Sequence, residues 1–113
     1  MLCRRAFSSF SSSLLDDVTV LDLSRILAAP FCTQLLGDLG ASVIKIENPA
    51  TGGDDTRQWG PPYVTDAEGN RSDLSAYFMS ANRNKKSVTL DIATAEGQAE
   101  IRRLASHADI LIE

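Results

Sequence analysis

The sequence predicts an α/β fold that is built on a strand–helix–strand unit between Val18 and Pro49. The first observation is a pair of short apolar runs rich in β-forming residues, at 18–23 and 43–47, which is typical of buried strands. The second is a helical pattern between them, bounded by a proline and a glycine. Such units cross over right-handed, so the loop of residues 24–29 is expected at the carboxyl end of the first strand, where open parallel sheets bind ligands.

The helix of this unit is predicted to begin near Pro30 and to stop before Gly40. A proline in the first helical turn costs no hydrogen bond, and a glycine is favoured just past the end. Phe31, Leu35 and Leu39 recur every four residues, so one face of the helix is predicted to be apolar.

Length and composition narrow the class of protein. The 113 residues allow one small domain, and no apolar run is long enough to span a membrane. The net charge of −4 argues against a general nucleic-acid surface. Cys3 and Cys32 lack metal-ligand spacing and are not expected to form a disulfide framework, so Cys32 is expected to be a small core residue of the helix.

Residues 1–17 have the composition of a mitochondrial transit peptide. They contain two arginines, many serines and no acid before Asp16, and no continuous apolar stretch follows the arginines as it would in a secretory signal. The sequence therefore predicts import into the mitochondrial matrix, with an unstructured N-terminus as the alternative.

The segment 48–81 is predicted to be mostly a long loop region. Between Pro49 and Leu74 glycines, prolines and polar residues dominate, which indicates a connection without helix or strand. Residues 54–63 are rich in charged and aromatic side chains, and this favours an ordered, functional loop. A short helix is predicted from Ser75 to Ala81, with Tyr77 and Phe78 buried.

The last third of the chain predicts a strand, a helix and a further strand. Residues 87–92 alternate apolar and polar residues, as a half-buried strand does. Thr94 is a plausible N-cap of the next helix, in which His107, near the C-terminus, is expected to be structural. Residues 109–113 begin another strand. One face of this helix is marked by Gly97, Ile101, Leu104, Ala105 and Ala108.

Three cations precede residues 87–92, namely Arg83, Lys85 and Lys86. They are predicted either to form an anion-binding patch, since phosphates are held by Arg and Lys, or to be a solvated turn. A nicotinamide site is excluded because the loop after the first strand lacks the Gly-x-Gly-x-x-Gly pattern. Glu47 imitates the ribose-binding acid of such sites, but without the glycines it carries little weight.

Four ordered blocks of the sequence resemble the N-terminal part of class III CoA-transferases (the CaiB/BaiF type). The blocks are LDLSRILAAPFCTQLLGDLGASVIKIE, GDDTRQWGPP, NRNKKSVTLD and the pair TAEG and ADILIE. They cover residues 18–113, and within the family they look closest to the mitochondrial transferases that use succinyl-CoA and glutarate or hydroxymethylglutarate. The resemblance implies an incomplete Rossmann-like large domain that binds a CoA thioester as substrate, with no permanent cofactor and no metal, in an interlocked homodimer.

The resemblance also assigns roles to residues. In this family an aspartate forms a covalent thioester with CoA, but that aspartate lies downstream of the matched region. No catalytic residue is therefore assigned, and Asp54 and Asp55 are not taken as the nucleophile. The fragment is expected to be inactive alone. Two segments resemble the family's CoA contacts: Ile26, Leu27 and Ala28, and then Leu90, Asp91, Ile92 and Ala93.

Phosphate recognition departs from the family pattern. Many relatives carry an arginine where Asn48 stands and a lysine where Ala93 stands, so the resemblance shifts this role to Arg83, Lys85 or Lys86, or to residues outside the chain. Two further hypotheses stay open: a non-catalytic nucleotide- or partner-binding module, and a fragment of a related acyl-CoA racemase.

Overall fold

The computed structural model describes residues 13–113, and residues 1–12 of the predicted transit peptide lie outside the described part. The central sheet has four parallel strands in the order β5-β2-β1-β6. The sheet strands are β1 (Thr19–Asp22), β2 (Ser42–Glu47), β5 (Lys85–Thr89) and β6 (Ile110–Ile112). The helices are α1 (Ala28–Asp38), α2 (Ala76–Asn82) and α3 (Ala95–Ala105), and a separate hairpin is formed by β3 (Tyr63–Thr65) and β4 (Arg71–Ser75).

The order of the strands confirms the α/β fold predicted from the sequence. The chain runs outward from β1 to β2 and β5, and then returns to the other side of β1 to form β6. Because parallel crossovers are right-handed, this reversal places α1 and α2 on one face of the sheet and α3 on the other. Loops that follow the carboxyl ends of the strands then meet at one edge, the usual ligand-binding edge of such sheets.

The apolar core is small and lies under α1. Val20, Ala41 and Val43 are buried there, and Leu15 and Leu36 are among the partly buried residues packed against them. Leu15 also donates its backbone N–H to the carbonyl of Leu39, at 3.1 Å. The folded part therefore includes a residue that lies before the predicted domain start at residue 18.

The C-terminal end of α1 agrees with the prediction, and its N-terminal end differs from it. Gly40 ends the helix as predicted, at φ 108°, and the N–H groups of Gly40 and Ala41 bond to the carbonyls of Gly37 and Leu36, which is a Schellman motif. The start differs, because the helix begins at Ala28, two residues before Pro30.

The orientation of α1 corrects the sequence analysis. The apolar face formed by Phe31, Leu35 and Leu39 is 45–46% exposed, whereas Thr33 and Gln34 are completely buried. The physical reason is that buried polar groups need polar partners rather than leucines. Thr33 donates to the carboxylate of Asp22 in the sheet. Gln34 donates to the carbonyl of Ser80 and accepts the N–H of Arg83, at the end of α2. The prediction that Cys32 is a core residue is wrong for the same reason, since Cys32 lies on the exposed side.

The long loop region contains more regular structure than predicted. Two 3-10 turns, Pro49–Thr51 and Asp55–Gln58, are each capped by the preceding side chain: Asn48 accepts the N–H of Ala50, and Asp54 accepts that of Thr56. The hairpin of β3 and β4 follows. The prediction of a segment without helix or strand was therefore wrong, because these side-chain caps close short local turns.

The short helix predicted at 75–81 is confirmed as α2, where Ser75 is the N-cap. Phe78 is buried, but Tyr77 is only half-buried, with its ring edge-on to that of Trp59 at 5.1 Å between centroids.

The strand predicted at 87–92 begins two residues earlier, at Lys85, and ends at Thr89. It is an edge strand with most of its residues exposed. Thr94 caps α3 as predicted, because its hydroxyl accepts the N–H of Gly97. A Cβ at position 97 would overlap the carbonyl oxygen of Asp91, so glycine is needed where this turn touches the helix.

Candidate functional site: a cleft at the carboxyl edge of the sheet

A cleft of about 110 Å³ opens where the loops after β1, β2 and β5 meet. This is the edge at which the sequence predicted a ligand site. Its wall combines apolar side chains with a few polar groups, as small-molecule sites generally do. The residues that line it include Leu23, Arg25, Asn48, Thr51, Leu90 and Ile92.

Under this cleft the first of three buried ion pairs joins β1 to β5. Lys85 Nζ lies 3.0 Å from Asp22 Oδ2, and the hydroxyl of Thr33 donates to the same oxygen at 2.6 Å. Lys85 also donates to the carbonyl of Pro30 at 2.8 Å. Burial alone would raise the pKa of Asp22, but hydrogen bonds from Ser24 and Thr33 and the charge of Lys85 outweigh it and lower the pKa. Asp22 is therefore a carboxylate at neutral pH.

The second pair joins β2 to the loop that precedes the second 3-10 turn. Lys45 Nζ lies 2.9 Å from Asp54 Oδ2, and each side chain is only 1% exposed. Lys45 also donates to the carbonyl of Ser24 at 2.8 Å. Asp54 accepts the N–H and the hydroxyl of Thr56, at 3.0 and 2.8 Å. These bonds and the charge of Lys45 lower the pKa of Asp54, although burial opposes them as the largest single effect.

The third pair joins Glu47, the last residue of β2, to Arg57. The guanidinium binds the carboxylate with two parallel bonds, of 2.8 and 2.7 Å, and stacks on the ring of Phe78 at 3.9 Å. The N–H of Asp54 and the hydroxyl of Ser87 also donate to Glu47. Burial acts to raise the pKa of Glu47, but these donors prevail and lower it to about 2. Glu47, which in the sequence resembled the ribose-binding acid of a nicotinamide site, is thus a structural carboxylate.

The loop between β1 and α1 is held in an unusual conformation by this network. Ile26 has φ 74°, a left-handed value that a β-branched residue adopts only when the surroundings impose it. Its N–H points at the carboxylate of Asp54, 3.3 Å from each oxygen. The side chains of Ile26, Leu27 and Ala28 are consequently exposed, beside the Arg25 wall of the cleft.

The structure brings the two predicted CoA-facing segments to the same edge of the sheet. Leu90 and Ile92 line the cleft itself, and Leu90 is anchored by its N–H to the carbonyl of Glu47 at 2.9 Å. Asp91 and Ala93 form the turn that leads into α3, with the Ala93 N–H donating to Asp91 Oδ1 at 3.0 Å. The assignment of these residues to CoA binding stays a prediction.

The three cations that were predicted either to form an anion-binding patch or to be a solvated turn are not gathered into one patch. Arg83 pairs with Asp38 at the end of α1, and Lys85 is buried against Asp22. Lys86 points to the other side of the edge strand, with Nζ 3.5 Å from Ser42 Oγ. Lys85 and Lys86 diverge because alternate residues of a strand face opposite sides of the sheet, and Arg83 precedes the strand as the C-cap of α2. Arg83 and Lys85 are thus already engaged by carboxylates.

Arg25 was not predicted to line the cleft, and the pairing of Asp22, Lys45 and Lys85 was not predicted either. A signal for the pairing was present, because charged residues interrupt the apolar strands at positions that would otherwise be buried. Arg25 carried no such signal. Among residues 13–113 no cluster of three His, Cys, Asp or Glu side chains could hold a metal ion, and no helix there is long and apolar enough to cross a membrane.

Comparison with known proteins gives consistent results. The sequence profile of CoA-transferase family III matches residues 15–113. The chain is 50% identical over 99 residues to the succinate–glutarate CoA-transferase of Agrobacterium fabrum, covering 88% of this chain and 24% of that protein. It is 48% identical over 99 residues to the human succinyl-CoA:glutarate CoA-transferase, covering 88% of this chain and 21% of that one.

A solved structure shows the same fold. The crystal structure of a CaiB/BaiF family protein from Brucella suis superimposes with a TM-score of 0.79 at 51% identity, over 89% of this chain and 25% of that one. The chain thus spans about a quarter of the length of the relatives it matches.

Proposed function

This chain belongs to CoA-transferase family III, and we propose that its cleft forms one wall of a site for an acyl-CoA thioester. The observation that carries the proposal is the meeting of the β1, β2 and β5 loops in one cleft, with Leu90 and Ile92 as its apolar side. Apolar side chains of this kind suit the adenine ring, and exposed Ile26 and Leu27 beside them suit the pantetheine arm. Arg83 is left out of the proposed contacts because it precedes β5 and pairs with Asp38 at the end of α1, at the opposite edge of the sheet from the cleft. Lys85 is left out because it is buried against Asp22.

The proposed reaction of the whole protein transfers CoA from succinyl-CoA to a dicarboxylate such as glutarate, giving succinate and the new acyl-CoA. The relatives named above support this choice of substrates. As in the family mechanism, a carboxylate would attack the thioester and hold the acyl group and then CoA in turn. We further propose that the whole protein is an interlocked homodimer located in the mitochondrial matrix. Fusion of residues 1–17 to a fluorescent reporter would test the location.

The chain by itself is proposed to be catalytically inactive. A carboxylate nucleophile must be able to leave its partners and reach the thioester, but Asp22, Glu47 and Asp54 are each buried, ion-paired and bound by several donors. Such groups are poor nucleophiles because attack would strand the paired cation in the interior. These three carboxylates are therefore not proposed as the nucleophile, and the family resemblance implies that the nucleophilic aspartate lies downstream of the matched residues.

Calorimetry with CoA and an exchange assay with succinyl-CoA and glutarate test both parts of the proposal. We expect the purified 113-residue chain to bind CoA and to produce no glutaryl-CoA. Absence of CoA binding by a cooperatively folded chain would refute the cleft assignment. Formation of glutaryl-CoA would refute the proposed inactivity.

One observation favours a second candidate, a non-catalytic nucleotide-binding module. Within residues 13–113 every buried side-chain nitrogen and oxygen has a hydrogen-bond partner, as is usual in folded proteins. This module would be favoured if the chain melts cooperatively and binds CoA but shows no CoA exchange, even when it is mixed with a relative's remaining domains.

A further inference from the structure

We propose that Arg25 binds the phosphate groups of the CoA ligand and that Asp55 competes with those phosphates for the Arg25 guanidinium. The inference rests on the proposed function of the cleft and adds the residue that recognises the charged end of the ligand. It replaces the expectation that Arg83 or Lys85 supplies this charge.

Two cations line the cleft, and they differ in availability. Lys45 is 1% exposed and is occupied by Asp54 and by the carbonyl of Ser24. The side chain of Arg25 is 64% exposed and stands at the rim. A phosphate that enters from solvent therefore meets the charge of Arg25 without any buried pair having to open.

The present partner of Arg25 uses only part of its hydrogen-bonding capacity. Both Nε and Nη2 donate to the same oxygen of Asp55, Oδ2, the former at 2.9 Å. Within residues 13–113 Nη1 has no acceptor. Arginine presents a planar fork that matches two oxygens of a phosphate or carboxylate, so a phosphate would satisfy donors that Asp55 leaves free.

The Arg25–Asp55 pair can be displaced at low cost. The Asp55 side chain is 36% exposed, and ion pairs in contact with water contribute little to stability because solvent screens them. The other carboxylates beside the cleft, Glu47 and Asp54, are neutralised by Arg57 and Lys45. Of these three carboxylates, Asp55 is the one paired with an exposed cation, so its charge acts on a ligand that Arg25 holds.

The two possible roles of the pair predict opposite effects of changing Asp55. If Asp55 competes with the phosphates, Asp55→Asn frees the guanidinium and tightens CoA binding. If the pair only clasps the second 3-10 turn to the β1–α1 loop, the same change loosens the cleft and weakens binding. The sign of the change therefore separates competition from a structural role.

The experiment measures binding of CoA and of pantetheine, which lacks the phosphates, to the 113-residue chain and three variants by calorimetry. We expect Arg25→Ala to weaken CoA binding by about 10-fold, the loss of one charge-assisted contact, and to leave pantetheine binding unchanged. Asp55→Asn should tighten CoA binding by about 3-fold and should not affect pantetheine. Arg102→Ala, which removes an exposed arginine of α3 far from the cleft, controls for the change in net charge and should leave both affinities unchanged.

Thermal unfolding of each variant checks that the fold is retained. Unchanged CoA affinity in Arg25→Ala, weaker CoA binding in Asp55→Asn, or an equal loss of CoA and pantetheine binding in Arg25→Ala would each overturn the inference while leaving the CoA site standing. Failure of the folded wild-type chain to bind CoA would overturn the proposed function and this inference together.

Discussion

Removing the ammonium of Lys45 should destabilise the fold more than any surface change of the same size. Lys45→Met keeps most of the side-chain volume but leaves Asp54, which is 1% exposed, without its cation. Breaking one partner of a buried ion pair costs about 3–5 kcal/mol because the remaining charge is uncompensated. Asp54 keeps its bonds from Thr56, which places the expected cost near the lower end, at about 3 kcal/mol.

Denaturant unfolding of the chain measures this cost directly, because the midpoint and slope give the free energy of unfolding. Lys86→Met is the matched control, since Lys86 is exposed on the edge strand and exposed substitutions usually stay within about 0.5 kcal/mol. The double change Lys45→Met with Asp54→Asn removes both charges but keeps an oxygen that can accept from Thr56, and it should recover part of the loss. A cost below about 1 kcal/mol for Lys45→Met, or no recovery in the double variant, would refute the reasoning.

Three further predictions follow from the same contacts. Ile26→Gly should raise the free energy of unfolding by about 1 kcal/mol, because glycine adopts φ 74° without strain. Ile26→Val should not raise it, and denaturant unfolding of the two variants tests this difference. The free energy of unfolding should fall by on the order of 3 kcal/mol as the pH drops from 4.5 towards 2, because of Glu47. The pKa of Glu47 is lower in the folded state than in the unfolded state, so its stabilising contribution is complete only above the unfolded pKa. Thermal unfolding of Glu47→Gln should show a shallower dependence on acid pH, and an identical dependence would contradict the role given to Glu47. Leu35→Gln should lower the free energy of unfolding by less than about 1 kcal/mol, because Leu35 is half-exposed. Gln34→Leu should lower it by about 1–3 kcal/mol, because it removes the partner of the Ser80 carbonyl and of the Arg83 N–H. Equal losses in thermal unfolding would mean that the orientation of α1 is wrong.

Local sequence features were sufficient for the succession of strands and helices. The Schellman glycine at position 40 and the threonine cap at position 94 act within a few residues, so their effect can be inferred without knowledge of the rest of the fold. The ligand-binding edge also followed from local features, because the handedness of a strand–helix–strand crossover is nearly invariant. The same holds for the exclusion of a nicotinamide site, which depends only on the absence of glycines from one loop.

The orientation of α1 and the partners of the charged residues were not accessible in this way. A helical apolar stripe indicates which side is apolar, but which side is buried depends on what the sheet offers beneath it. Here that face of the sheet carries Asp22, Lys45 and Lys85, so the polar side of the helix is turned inward. Their pairing depends on the register of three strands that are far apart in the sequence.

By itself, then, the sequence determined the α/β succession, the family resemblance and the edge at which a ligand should bind, because each depends on short-range patterns. Only the tertiary structure decided which charges remain available at that edge. Lys85 is buried against Asp22, since a charge taken out of water must be compensated by whatever group the fold brings next to it. Arg83 pairs with Asp38 at the opposite edge of the sheet, and Arg25 is left at the rim.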